Sequence, residues 1–589
     1  MNPKHRVRLS KLSLGLIVAL AAAPAFAQST SAGLNGVVTG PDGQPVTGAE
    51  VTIVHVESGT VSRVTTDASG RYNARGLRVG GPYTINITKP GEGTTTEENV
   101  YLSLNQVSQV NASLAGDITT LGTVVATGTY VGSDVFSATK MGTGTNVDQQ
   151  TIEALPSATR NIQDYIRLDP RISQISKADG AISAGGQNSR FNVIRIDGIS
   201  SSDPFGLEAN NMPTQRQPVS MDAIEEIQID LANYDVTISG GTGAVVNAVT
   251  KSGTNEFSGT VYYNLRDGDW VRSDLQGVDF NGFDKEETYG MTFGGPLGRD
   301  RLFFFANYEK FTRSAPGTSL AGTPYANGRI TDGDIRRIQE AASSFGFDAG
   351  NFELPETSKT DIEEYAVKLD WNISDNHRAA FRYSKMEQVE PRLPGIGNNS
   401  IALSSYWFDQ EKSFESYLVE MFSDWSHNFS TEFKVSQRDY SSVAVPYANL
   451  PTIFINNVDG SSGSSVNLGT ERNRHINVVD TSQLSLFGAA NWYVGDHTFK
   501  FGFDYEDNEI LNFYGRDLNG VWTFDSIEDF EAGNARQYQL RAPRPGGSRD
   551  DIPAAYSFEN LGLFVQDTWA VNYNLTLMFG LRVDMPDFG

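Results

Sequence analysis

From about residue 256 onward, the chain alternates apolar and polar side chains in short runs. Tyr365, Val367, Leu369, Trp371 and Ile373 alternate with Glu364, Lys368, Asp370 and Asn372. Phe499, Phe501, Phe503 and Tyr505 alternate with Lys500, Gly502, Asp504 and Glu506. Leu575, Leu577, Phe579, Leu581 and Val583 alternate with Thr576, Met578, Gly580 and Arg582. A period of two marks a strand whose two faces meet different surroundings. Strands are expected near 256–266, 286–295, 301–311, 362–373, 378–388, 412–425, 431–442, 479–492, 498–508, 556–571 and 575–584. Their connections alternate in length. Pro296–Asp300, Ser374–His377, Ser426–Ser430, Tyr493–His497 and Asn572–Asn574 are short. Residues 312–361, with a helix expected at Asp334–Ser344, and residues 443–478 are long.

One greasy face and one charged face, kept up for about ten residues, fits a strand that crosses a bilayer. A soluble sandwich can also alternate. A Lys or Arg turned toward lipid at mid-membrane costs about 2–4 kcal/mol, so alternation this clean is what a bilayer demands. After residue 27 no run of 18 apolar residues occurs, so any crossing is made by strands. Short turns at one end and long loops at the other are the pattern of an outer-membrane barrel. The expected count is eleven, whereas closed bacterial barrels take even numbers and plugged receptors about 22. The sequence is therefore expected to be truncated, covering about half a barrel and leaving an unpaired strand at Leu575–Asp584. Met585–Gly589 reads as the opening of another outer loop.

The N-terminal part is built differently. Lys4, Arg6, Arg8 and Lys11 precede the apolar stretch Leu12–Ala23 and the triplet Ala25-Phe26-Ala27. That is a secretory signal cleaved after Ala27. Its loss removes four cations and takes the formal charge from −25 to −29. So acidic a chain repels phosphate backbones, which excludes nucleic acid as a partner. With no cysteine, there is no disulfide framework. Residues 32–115 carry turns at roughly ten-residue spacing, Asp42-Gly43 with Pro45 and Asp67 with Gly70 among them, and read as a β-sandwich. Residues 116–133 are a linker holding a Val-rich patch between Gly122 and Gly128, exposed, unpaired and ready to add as an edge strand to another protein. A flexible linker that happens to be Val-rich would look the same.

Residues 134–254 read as an α+β domain. Short helices are expected at Asp148–Leu155 and Arg160–Leu168, with a strand–turn–strand about Asp197-Gly198 and a helix start at Asp222–Glu225. The polar loop Ser200–Pro218 either faces a ligand or is plain surface. At 234–266 comes YDVTISGGTGAVVNAVTKSGTNEFSGTVYYNLR, where glycines allow tight turns and Val245, Val246 and Val249 supply a buried strand. This stretch resembles the plug–barrel junction of TonB-dependent outer-membrane receptors, and "RIDG" and "IEEI" upstream fit the same plug. Residues 32–115 resemble the carboxypeptidase regulatory-like, transthyretin-like module, which has no catalytic residues. Together they point to the OmpA-related, Oar-like subgroup.

The resemblance implies a mainly β fold: an N-terminal β-sandwich, an α+β plug at 134–254 and a partial transmembrane antiparallel β-barrel at 255–589, with about 11 of about 22 strands. It places a TonB box at Thr123, Val124, Val125, Ala126 and Thr127. It implies a periplasmic TonB-type energy transducer as partner, an outer-membrane lipid surroundings in a Gram-negative cell, and an extracellular siderophore, glycan or peptide as ligand. An adhesin, a scaffold or an export channel has the same architecture. No cofactor and no catalytic constellation are expected. His377, His427 and His497 fall at expected turns, where capping is a simpler role than metal binding, and the acidic run Asp504–Glu509 is a candidate calcium site on an outer loop.

Overall fold

The computed structural model describes residues 29–114, 126–127, 142–155, 157–176, 180–206, 208–232, 234–240, 242–271, 282–460, 463–572 and 575–588. The expected signal, residues 1–27, lies outside them, as do Pro156 and most of 116–133. Residues 32–113 fold as two facing sheets. One holds β1 (Ala32–Thr39), β4 (Arg71–Leu77), β7 (Val107–Gln109) and β8 (Ala112–Ser113). The other holds β2 (Glu50–His55), β3 (Thr60–Thr65), β5 (Gly80–Lys89) and β6 (Gly93–Leu102). Alternate residues of both sheets, such as Leu34, Val38, Val51, Ile53, Ile85 and Ile87, form one buried cluster. The two-residue strand β9 (Ala126–Thr127) extends the second sheet by pairing with β6.

The plug is a sheet in the order β10 (Thr143–Asp148), β15 (Ile224–Ala232), β16 (Val245–Thr250), β13 (Val193–Ile196), β14 (Ile199–Ser200). A small hairpin, β11 (Ile172–Gln174) with β12 (Ile182–Ala184), lies beside it. The two expected helices are present and shorter, Gln149–Ala154 and Ile162–Ile166. Asp148 caps the first by accepting from the Thr151 amide at 2.8 Å. The helix expected to start at Asp222 is absent. Ser220 caps a single 3₁₀ turn, Met221–Ala223, and the chain then runs straight into β15. The apolar spacing of Ile224 and Ile227 fits a helix, but β15 lies between β10 and β16 with both faces covered. Strand ladders on both edges and β-branched side chains decide in favour of the sheet.

Among the described residues, eleven antiparallel strands form one large sheet. They are β17 (Ser258–Asp267), β18 (Lys285–Gly298), β19 (Leu302–Pro316), β20 (Thr357–Ser374), β21 (His377–Arg392), β23 (Phe408–Ser426), β24 (Phe429–Pro446), β27 (Asn477–Val494), β28 (His497–Tyr514), β31 (Ala554–Asn572) and β32 (Leu575–Phe588). Every expected strand is there, paired with its neighbour in this order. The faces are inverted relative to a soluble protein. Trp371 is 51% exposed and Val367 39%, whereas Glu364 is 3% and Asp370 8%. Apolar side chains face outward to where lipid lies, and charged ones face inward onto the plug.

The sheet path begins at β17 and ends at β32. The expectation of an outer loop after Asp584 is corrected: Met585–Phe588 continue β32. The ladder with β31 runs on to Phe558↔Phe588, where the two rings meet at 5.0 Å. Pro586 is tolerated there because the far edge of β32 pairs with no other described strand.

At the opposite end from the short turns, four long connections fold together into a cap, three of them supplying its sheet and the fourth a helix. Their sheet runs β22 (Ser400–Ala402), β26 (Ser465–Leu468), β25 (Thr452–Asn456), β29 (Val521–Phe524), β30 (Gln537–Gln539). The expected helix, here Asp332–Ser344, and a second at Ile527–Ala532 close its core through Ile338, Ile455, Leu468 and Phe530.

Candidate functional site: the plug and its polar seam

Inward-facing residues of several wall strands meet the plug through polar contacts. The Asp197-Gly198 turn, between β13 and β14, is the centre of this seam. Asp197 holds a left-handed backbone (φ 49°), which Asp tolerates better than most residues. Its carboxylate accepts from the Thr250 amide at 2.8 Å, the Thr250 hydroxyl at 2.7 Å and Arg382 Nη1 of the wall at 2.9 Å. Both charged side chains are 3% exposed. Lys368, also of the wall, donates to the Thr250 carbonyl at 3.0 Å. One acid of the plug thus faces two cations of the barrel.

The same pattern repeats around the rim. Arg216 of the plug lies 3.3 Å from Glu309 and 4.5 Å over the Phe311 ring. Glu309 also accepts from Tyr262 at 2.6 Å and from Ser220 at 3.0 Å. Asp235 accepts from Lys500 at 2.6 Å, and Arg438 donates to the Ser200 carbonyl at 3.0 Å. Such contacts are directional and exchangeable for water, unlike an interlocked apolar core. Where the plug leaves for the barrel, Gly253 packs directly on the carbonyls of Phe304 and Gly295. A side chain there would collide with wall backbone, which explains the glycine.

The loop Ser200–Pro218 is not plain surface. Asn210, Asn211, Met212, Thr214, Arg216 and Gln217 are buried, and Gln215 donates its amide to Gln388 of the wall at 2.9 Å. Its tip faces a chamber of about 690 Å³ between the plug and the outer part of the wall. Phe205 and Glu208 bound it on one side, and Arg392, Phe408, Lys412 and Arg474 on the other. Lys412 pairs with Glu208, and the Arg474 guanidinium lies 5.1 Å over the Phe408 ring. Nothing in the sequence brought these residues together.

Other sequence expectations fall in different places. The acidic run Asp504–Glu509 is not on an outer loop but within β28, with Asp504 facing inward onto Arg582. The run is paired with β27 on one side and β31 on the other, Gln483↔Asn508 and Asn508↔Phe558 among the partners, so sheet pairing wins over its polarity. His377 and His497 open β21 and β28. His497 Nδ1 sits 2.7 Å from Asp567 Oδ2, and His377 packs 4.9 Å from Trp425. Of the expected transducer-binding residues, Thr123, Val124 and Val125 lie outside the described residues. Ala126 and Thr127 are not unpaired as expected: they run parallel to Glu97 and Glu98 of β6. β6 is an edge strand whose open ladder accepts them.

At the inner mouth, the sandwich meets the plug through Glu226. Its carboxyl Oε1 accepts from the Leu104 amide at 3.1 Å and from Asn146, which also donates to the Leu104 carbonyl at 3.3 Å. Burial pushes this carboxyl up to about 8, opposed by those hydrogen bonds. Nearby, burial and then the charges of Arg78 and Arg378 pull His55 down to about 3, so its ring is neutral and rests on Ser58 at 2.8 Å.

Comparison with known proteins agrees with this geometry. The family described as outer membrane beta barrel domain matches residues 249–342 and 337–587, and the carboxypeptidase regulatory-like domain matches 33–115. The TonB-dependent transporter Oar of Myxococcus xanthus is 31% identical over 658 aligned residues, covering 97% of this chain and 59% of the relative. The chain thus spans about three fifths of that relative's length. Among solved structures, the outer membrane transporter YddB from Escherichia coli matches with a TM-score of 0.55 at 15% identity, over 75% of this chain and 56% of that one. The ferric enterobactin receptor PfeA matches with a TM-score of 0.50 at 14% identity, over 77% and 60%. With more than half its length matched by the barrel family, the chain belongs to the outer-membrane β-barrel proteins and carries a carboxypeptidase regulatory-like domain at its N-terminal side.

Proposed function

We propose that this chain binds a ligand at the cell surface and moves it across the outer membrane when a periplasmic TonB-type transducer pulls on residues 121–128. The observation that carries this reading is the polar seam. A plug fixed by exchangeable ion pairs inside a strand wall is one that a pull can rearrange, and the Val-rich segment lies directly upstream of it in the chain. The protein acts as a receptor rather than an enzyme, and the work is supplied from outside. The ligand enters through the chamber over Phe205 and Glu208. Lys412 is paired with Glu208 and Arg392 with Glu390 there, and Arg474 adds a cation stacked on Phe408, which in a chain of formal charge −25 favours a cargo carrying negative charge. Siderophores, acidic glycans and acidic peptides all qualify.

Deleting residues 121–128 is expected to abolish uptake while surface binding stays at the wild-type level. Growth on a panel of iron, sugar and peptide sources, with and without the deletion, reads both the transport and the cargo. An unchanged growth profile would make the protein an adhesin or scaffold with an immobile plug. Dependence on a neutral glycan alone would overturn the charge assignment of the chamber.

A further inference from the structure

The sandwich is wedged into the mouth through which the plug enters the sheet. Its first residues reach into the seam itself. Thr30 donates to Glu420 at 2.7 Å and accepts from Lys434 at 2.9 Å, and the Ser29 carbonyl accepts from Asn247 at 3.0 Å. Asn247 belongs to β16, the strand at the middle of the plug sheet, whereas Glu420 and Lys434 belong to β23 and β24 of the wall. Beside them, Arg78 donates to the Gly253 carbonyl at 3.2 Å and lies 5.1 Å over Phe303. The Glu57 carbonyl accepts from the Asn255 amide at 2.9 Å.

Farther out, the sandwich grips the rim of the barrel. Arg63 pairs with Asp375, in the turn between β20 and β21, at 3.2 Å. Arg71 pairs with Asp496, in the turn between β27 and β28, at 2.7 Å. Asn372 donates to Thr60 at 2.9 Å, and the carboxylate of Asp300, in the turn between β18 and β19, packs on Gly59. On the plug side stand the Glu226 and Asn146 contacts to Leu104, with Gln106 donating to Asn146 at 2.7 Å. One folded domain therefore holds plug and wall at once.

The structure assigns to the N-terminal sandwich the function of a latch, joining plug to barrel at the inner mouth so that its docking governs how freely the plug moves. Physically, unseating the plug requires breaking either the sandwich–plug contacts or the sandwich–wall contacts, so the two equilibria are coupled. The connection between Leu114 and Thr143 makes this coupling useful. Under the transport reading, a pull applied along it draws β9 off β6 and loads β8 of the sandwich on one side and β10 of the plug on the other, drawing on latch and plug together.

The test needs no ligand, so its outcome is separate from that of the transport reading. Hydrogen–deuterium exchange is followed in the full chain in outer-membrane vesicles, comparing β10 and β15 with wall strands β20 to β24. Arg63→Glu with Arg71→Glu sets like charges against Asp375 and Asp496. It is expected to raise plug exchange about tenfold while the wall strands stay unchanged, and adding Asp375→Arg with Asp496→Arg is expected to restore protection. A second variant, Glu57→Cys with Asn255→Cys, staples the sandwich to the junction. The chain has no other cysteine, so the bond is unambiguous. The oxidised staple is expected to slow plug exchange below the wild-type rate, with reductant reversing it. Plug exchange that stays at the wild-type rate in the oxidised staple, or in a charge-reversed protein whose sandwich has demonstrably come away, overturns the latch.

Discussion

Val367→Arg is expected to prevent stable insertion of the sheet, at a cost of about 2–4 kcal/mol for that one side chain. Val367 lies in the outward row of β20 between Tyr365 and Trp371, and each of the three is exposed on a face that only lipid can cover. Its neighbour Lys368 is already a cation and is accommodated. It points the other way and donates to the Thr250 carbonyl of the plug at 3.0 Å. A shift of one position along the strand thus separates a tolerated charge from a disruptive one, because successive side chains of a strand alternate faces. The measurement is the urea midpoint for the full chain folded in phospholipid vesicles, read beside a Val367→Ala control. A Val367→Arg protein that inserts and resists urea as well as the alanine control would mean that β20 does not face lipid.

That alternation is also why the strand order was readable without coordinates. Lipid on one side and plug on the other impose opposite chemistry on alternate residues, so the pattern is strong wherever the bilayer reaches. It weakens above the membrane, where both faces are wet. The alternation therefore marks β23 only from residue 412, whereas the strand begins at Phe408, with Asp409, Glu411 and Ser413 on its outer face. β24 likewise runs on to Pro446. The opposite failure occurs inside the plug. β16 is buried at every position, so no period survives, and the first residues of the neighbouring β15 mimic a helix start because Ile224 and Ile227 fit helical spacing, while the strand expected about Ile229 is present.

The cap and the seam were not legible for a different reason. β25 pairs with β29 across more than sixty residues of chain, Thr452 with Val521, and β30 is three residues long. Strands so short and so distant leave no local signal in composition. The seam pairs are more distant still: Asp197 with Arg382, Asp235 with Lys500, Ser200 with Arg438. A sequence says that each of these is charged or polar and sits at a turn or in a strand. It does not say which meets which, because that depends on how the plug is rotated within the wall. The acidic run in β28 shows the cost of reading charge without that geometry, since Asp504 is an inward-facing partner of Arg582 rather than a loop ligand.

Asp197→Leu is expected to loosen the plug by about 3–5 kcal/mol, the scale for removing one partner of a buried ion pair. The reason is the charge left behind. Arg382 is 3% exposed, and without the carboxylate it and its cross-strand neighbour Lys368 are left side by side on the wall as like charges, while the Thr250 amide loses its acceptor. Arg382→Leu is expected to cost less. Asp197 then keeps both Thr250 hydrogen bonds and the nearby charge of Lys368. The double variant is expected to recover part of the loss, since neither Asp197 nor Arg382 then remains as an unpaired charge, and its departure from additivity measures the pair itself. Limited proteolysis of the plug in the membrane-inserted full chain gives all three values, with a wall strand as internal reference. If Asp197→Leu left the plug as resistant as in the wild type, the Asp197–Arg382 contact would carry none of the seating, and the seam would have to be held by Arg216 with Glu309 and by Asp235 with Lys500 instead.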